Sequence, residues 1–319
     1  MSDSKPTPFR LDFRVRGGEV YDRLPAPFDT QVEVAEYGTW LRVRSDDKLA
    51  MLVITRHNGD LVERPVGLFR MRLDARMLGD ILTAVERTPW PKLPVPERGD
   101  ITASMLTIDY RRGGLVIRRE FNARSRAFIA AIWPLMETLH ALMGALQARP
   151  AGVLAVSVAS AIDPANPRAR VLELYLANPG QWPIVITDPR VDAARHAPHA
   201  RARLLVAPAP VEHPGMMAVP PRFVDVPFGP LPEGAPRLLG LQGGAVQRFA
   251  VGWSAPAPGN YVMQGVWFDY GGPIDAVDDP LAMMPLAGDD EPPARGAIYP
   301  VRGAAFSAYT SFVVEPPRS

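Results

Sequence analysis

A chain of 319 residues, 47% hydrophobic and 22% charged, has enough apolar material for a packed core and exceeds the usual size of one domain, which excludes a disordered protein and points to two domains. It contains no cysteine, which excludes disulfides, thiolate metal ligands and cysteine nucleophiles. Its formal charge of +1, from 35 basic and 34 acidic residues, creates no overall field that would draw it to nucleic acid or an anionic membrane.

The opening MSDSKPTPFR lacks the apolar core of a signal peptide, so a cytoplasmic, bacterial-type location is expected. FRLDFRVR then sets Phe9, Leu11, Phe13 and Val15 against Arg10, Asp12, Arg14 and Arg16, the two-residue period of a strand with one wet face. Extended runs follow at TQVEV, TWLRVR and LAMLVITR, and the last meets His57-Asn58-Gly59-Asp60, where Asn-Gly suits a tight hairpin. Leu73, Met77, Leu78, Ile81, Leu82 and Val85 recur at helical spacing, with Asp74 placed to cap the start and Pro89 beyond the end. A proline-rich loop leads to a second hairpin, ITASMLTIDY, RRGG and a strand with Leu115, Ile117 and Arg119 opposite Val116 and Arg118. The longest helix carries Phe128, Ile132, Leu135, Leu139, Leu142 and Leu146 on one stripe, with Pro134 kinking it or marking its start. Glu137 and His140 would be costly in lipid, so the helix is expected to pack on the sheet. Residues 1–150 thus read as an α+β domain, an antiparallel sheet with two helices, ending at the joint ARPAG.

From residue 153 no helical period appears, and short extended runs recur between turn-rich stretches such as Asn178-Pro179-Gly180, as in a sandwich or barrel. Pro258-Gly259-Asn260-Tyr261, followed by the run through Trp267, resembles the tyrosine corner of immunoglobulin-like and fibronectin type III sandwiches. Phe249, Val251 and Trp253 in the preceding run, and LYLANPG earlier, resemble the same class. For residues 151–319 the resemblance implies an all-β immunoglobulin-like sandwich with long loops and no particular activity.

Two insertions interrupt this half. One holds His196 and His199, with Asp192 before them and Glu212 and His213 after, in a proline-broken loop without the fixed scaffold that a metal site needs. The other runs from Asp269 to about Arg302 and between 269 and 291 holds Asp269, Asp275, Asp278, Asp279, Asp289, Asp290 and Glu291 without Lys or Arg, in an order that does not match a calcium loop. Met283 and Met284, apolar and adaptable, incline this loop toward protein contact. On the second hairpin Arg111, Arg112, Arg118 and Arg119, with Arg124 and Arg126 beyond, form a candidate anion patch, with few aromatics for stacking on bases.

No nucleophile elbow, phosphate-cradling glycine loop, dinucleotide fingerprint or HExxH stands in the chain, which disfavours an enzyme; no catalytic residue, metal or cofactor is expected. The reading that follows is a non-enzymatic protein-binding factor, such as an immunity protein or an assembly factor of a secretion or injection apparatus. Its acidic loop would meet another protein, and a basic partner would complement its charge. The alternatives are a hydrolase or carbohydrate-active protein with an interdomain site, and a phosphate- or nucleic-acid-binding module using the arginine hairpin.

Overall fold

The computed structural model describes residues 7–16, 38–55, 64–93, 105–122, 125–191, 200–210, 222–269, 298–301 and 303–316. These are mostly β, with antiparallel pairing everywhere except one two-residue parallel contact. Among them, no helix is long and apolar enough to cross a membrane.

The first half supplies strands β1 (Phe9–Arg16), β2 (Gly38–Arg44), β3 (Leu49–Ile54), β4 (Val66–Arg72), β5 (Met105–Arg112) and β6 (Leu115–Asn122). They lie in the order β4-β3-β2-β1-β5-β6. Helices α1 (Ala75–Arg87), α2 (Arg126–Ala131) and α3 (Trp133–Gln147) all contribute to one buried cluster. Asp74 caps α1 by accepting from the Met77 amide at 2.7 Å, which satisfies one of the donors a helix start leaves open. Pro134 falls in the first turn of α3, where its missing N–H costs nothing, so it marks the start of that helix. Leu135, Leu139, Leu142 and Leu146 of α3 and Ile81 and Val85 of α1 pack on Leu11, Phe13, Leu41, Leu52 and Ile108, the inward residues of alternating strands.

The second half begins with β7 (Pro150–Asp163), and the stretch read as a joint is the start of this strand. Its opening residues pair with β4 and its remainder, from Ala155, pairs with β8 (Asn166–Ala177). With β13 (Val246–Ser254) beyond β8, the sheet runs to nine strands. A second sheet holds β10 (Ala200–Pro208), β11 (Val224–Val226), β14 (Gly259–Asp269), β16 (Gly303–Phe306) and β17 (Thr310–Val314). A third joins β9 (Ile184–Thr187), β12 (Leu238–Leu241) and β15 (Tyr299–Pro300). Leu154, Val156, Leu174, Leu176 and Phe249 pack against Trp267, Ala202 and Ala305, so the β7-β8-β13 layer faces the β10-β14-β16 layer across an apolar core.

The run 305–314 is two strands: both lie on the same edge of β14, separated at Ser307, whose Oγ accepts from the Gly265 amide at 2.8 Å and whose N–H donates to the Gly265 carbonyl at 2.9 Å. The alternation after Tyr261 leaves no wet face, because Val262, Val266 and Phe268 are covered in a separate cluster with Leu205, Phe223 and Ala304. The Tyr261 hydroxyl donates to the Ala257 carbonyl at 2.7 Å, and its ring meets Trp253 and Phe312. Asn178 is fully buried; its amide donates to the carbonyls of Trp182, Leu241 and Gln242, and its Oδ1 accepts from the Gly180 N–H.

The halves meet through backbone. Gly303, at φ +119°, lies where a Cβ would come within 1.8 Å of the Thr55 carbonyl oxygen, and the Ala304 amide donates to that oxygen at 2.8 Å. The run TQVEV and residues His57–Asp60, expected as a strand and a turn, lie outside the described residues.

Candidate functional site: an arginine-bearing sheet face

Alternation that sends Leu11 and Phe13 to the helices sends Arg10, Asp12 and Arg14 to the opposite face. Register then lines up three rows across the strands from β6 to β4. The first reads Glu120, Thr107, Arg14, Trp40, Val53, Leu68. The second reads Arg118, Asp109, Asp12, Arg42, Met51, Arg70, and the third Val116, Arg111, Arg10, Arg44, Leu49, Arg72.

The two ends of the rows meet different surroundings. Toward β3 and β4, Leu49, Met51, Val53 and Leu68 are buried with Ala151 and Trp182, and Tyr299 packs against them, so the second half covers this end. Burial there pushes the Tyr299 phenol well above its ordinary range. Toward β5 and β6, Arg111, Val116, Arg118 and Glu120 are exposed.

Between these ends lies a buried ionic layer. Asp12 and Arg42 are 3% and 4% exposed. Asp12 Oδ1 accepts from Arg42 Nε at 2.7 Å and Trp40 Nε1 at 3.1 Å, while Oδ2 accepts from Arg10 Nε at 2.6 Å. The Trp40 ring carries the Arg14 guanidinium 3.6 Å from its centroid and Arg42 at 5.2 Å. The Asp12 charge can stay buried here because three donors converge on it and the Trp40 ring lies beside Arg42.

The third row rests on that layer. Arg111 forks Asp109 with Nε and Nη2, both at 2.9 Å, and Arg44 places Nη2 2.9 Å from Asp46. The Arg111 fork holds the Asp109 carboxyl below the usual carboxylate range against the opposing effect of burial, with the charges of Arg118 and Arg10 assisting. Arg44 likewise holds Asp46 low, chiefly by its hydrogen bond, whereas burial pushes Asp47 up. Asp12 and Asp109 face each other across β1 and β5, but both are engaged by guanidiniums and Asp109 is stabilised as the anion. Such a pair anchors arginines.

Of the hairpin arginines, Arg111 and Arg118 belong to this face. Arg112 and Arg119 point to the helix side, where Arg112 Nη1 meets Glu86 at 2.7 Å and Arg119 Nη1 donates to the Arg118 carbonyl at 2.9 Å. Arg126 opens α2. The single stripe expected from sequence is therefore divided between two faces, because adjacent residues of a strand point oppositely. Asp275, Asp278, Asp279, Met283, Met284, Asp289, Asp290 and Glu291 lie outside the described residues, as do Arg124, Asp192, His196, His199, Glu212 and His213. Asp269 ends β14 and accepts from the Thr187 hydroxyl at 2.8 Å. Among the described residues no group of three or more His, Asp or Glu is placed to hold a metal ion.

Sequence reasoning missed Asp12, Trp40, Arg42 and Arg44 as one assembly. A lone acid among three arginines in FRLDFRVR was the available signal. Compared with models of known protein families and with curated proteins, the chain matches none.

Proposed function

We propose that the chain is a non-enzymatic protein-binding factor whose docking surface is the uncovered part of the arginine face, on β2, β1, β5 and β6. The observation that carries this reading is the third row: Arg10, Arg44 and Arg111 stand on adjacent strands, each steadied by a carboxylate of the chain itself, with side chains 39%, 27% and 57% exposed. Arginines fixed in advance lose little further freedom on binding, and arginine is enriched at the centres of interfaces. Charge reversal at Arg10, Arg44 and Arg111 together tests it. Native-lysate capture quantified by mass spectrometry should show partners held by the wild type and lost by the variant, with melting temperatures matched; identical capture by both would refute it.

In this reading residues 1–150 are an α+β unit and residues 151–319 an immunoglobulin-like sandwich, fused through β7. The hydroxyl of Tyr261 on the Ala257 carbonyl and the two facing layers support the sandwich. Tyr261→Phe should lower stability by about 1 kcal/mol without changing the fold. A cysteine-free chain suits a reducing, cytoplasmic setting.

A further inference from the structure

We infer that the third row takes an extended, carboxylate-rich segment of a partner protein, with an apolar residue of that segment seated on Val116; this rests on the docking surface proposed above and adds the chemistry of what docks. Adjacent strands lie about 4.8 Å apart, so Val116, Arg111, Arg10 and Arg44 span about 14 Å, the length of about four extended residues. Arg111 and Arg44 each direct Nε and Nη2 to a carboxylate of the chain, and their Nη1 groups carry further donors. A guanidinium held on one edge presents the other in a fixed plane, which suits a second carboxylate in fork geometry.

The surface favours protein carboxylates over a nucleic acid. A single strand needs exposed aromatic faces for its bases, yet Trp40 is buried beneath Arg14, and Tyr110 points to the helix side. Val116, 62% exposed at the end of the row on an edge strand, supplies a place for an apolar anchor.

The test uses the full chain and fluorescence anisotropy with three labelled probes. These are a peptide of one leucine followed by four glutamates, the same peptide with glutamines, and a single-stranded oligonucleotide of equal charge. The glutamate peptide should bind, weaken as salt rises, and lose about tenfold in affinity to the variant with Arg10, Arg44 and Arg111 changed to Glu. Val116→Asp should weaken it further than Val116→Ala. Should the triple variant fail to fold, Arg111→Glu alone is the substitute, since that side chain is the most exposed of the three. Equal binding of the glutamate and glutamine peptides, or tighter binding of the oligonucleotide, overturns the inference. If captured partners depend on the arginines while the glutamate peptide does not bind, the docking surface stands and the acidic-segment inference falls. Partners retained by the triple variant would remove both.

Discussion

Alternate residues of the same strands build the two faces of the β6-β5-β1-β2-β3-β4 sheet, and the two faces are stabilised by different physics. On the helix side Leu11, Phe13, Leu41 and Ile108 are buried in a non-directional core, where shape and area decide the energy. On the other side burial is reached with ions: Asp12 and Arg42 are also buried, and Asp12 is held there by donors from Arg42, Trp40 and Arg10. A core face tolerates conservative apolar change and serves stability alone. An ionic layer tolerates little, but it holds exposed guanidiniums in place above it.

The largest expected effect breaks the helix side. Phe13→Ala should cost about 3 to 5 kcal/mol in denaturant unfolding, through lost transfer energy and a cavity beneath α1 and α3. On the opposite face Asp12→Ala should cost about 3 kcal/mol or more, because Arg42 would remain buried without its carboxylate. Replacing the pair together, Asp12→Leu with Arg42→Met, should recover most of that loss, and failure to do so would show that the layer is held by more than the pair's own desolvation. Arg111→Ala should change stability by less than about 1 kcal/mol, since its side chain is largely exposed.

The pH dependence sharpens the same contrast. Asp109 and Asp46 have native values below those of an unfolded carboxylate, about 3.9, so their contribution is complete above that value and disappears as pH falls through the lowered native ones. Acid unfolding monitored from about pH 5 downward should therefore be shallower in Arg111→Ala than in the wild type. Phe13→Ala, in the apolar cluster of the helix side, should lower stability at every pH and keep the slope.

Much of this contrast was legible in the strands themselves. The period of FRLDFRVR separates Phe13 from Asp12, the 3.6-residue spacing of Leu135 to Leu146 assigns α3 to the sheet, and Asp74 and Pro134 stand where helix starts place them. Residues beside Tyr261 likewise mark β14 by local chemistry. What the pattern could not supply is register between strands distant in sequence. Nothing near Asp12 announces that Arg42 and Trp40 will lie opposite and beside it, or that Arg111 will face Arg10, since those neighbours are fixed by long connections. Reading along the hairpin instead of across the sheet is why Arg112 and Arg119 joined the expected patch and Arg10 and Arg44 did not.

Arginine-selective modification with phenylglyoxal, followed by peptide mass spectrometry on the native chain, tests most directly whether a buried ionic layer carries a reachable row. The account predicts fastest labelling at Arg111, slower labelling at Arg10 and Arg44, and almost none at Arg42 until the protein unfolds. Labelling of Arg42 at the rate of Arg111, or protection of Arg10 and Arg111 in the isolated protein, would contradict it.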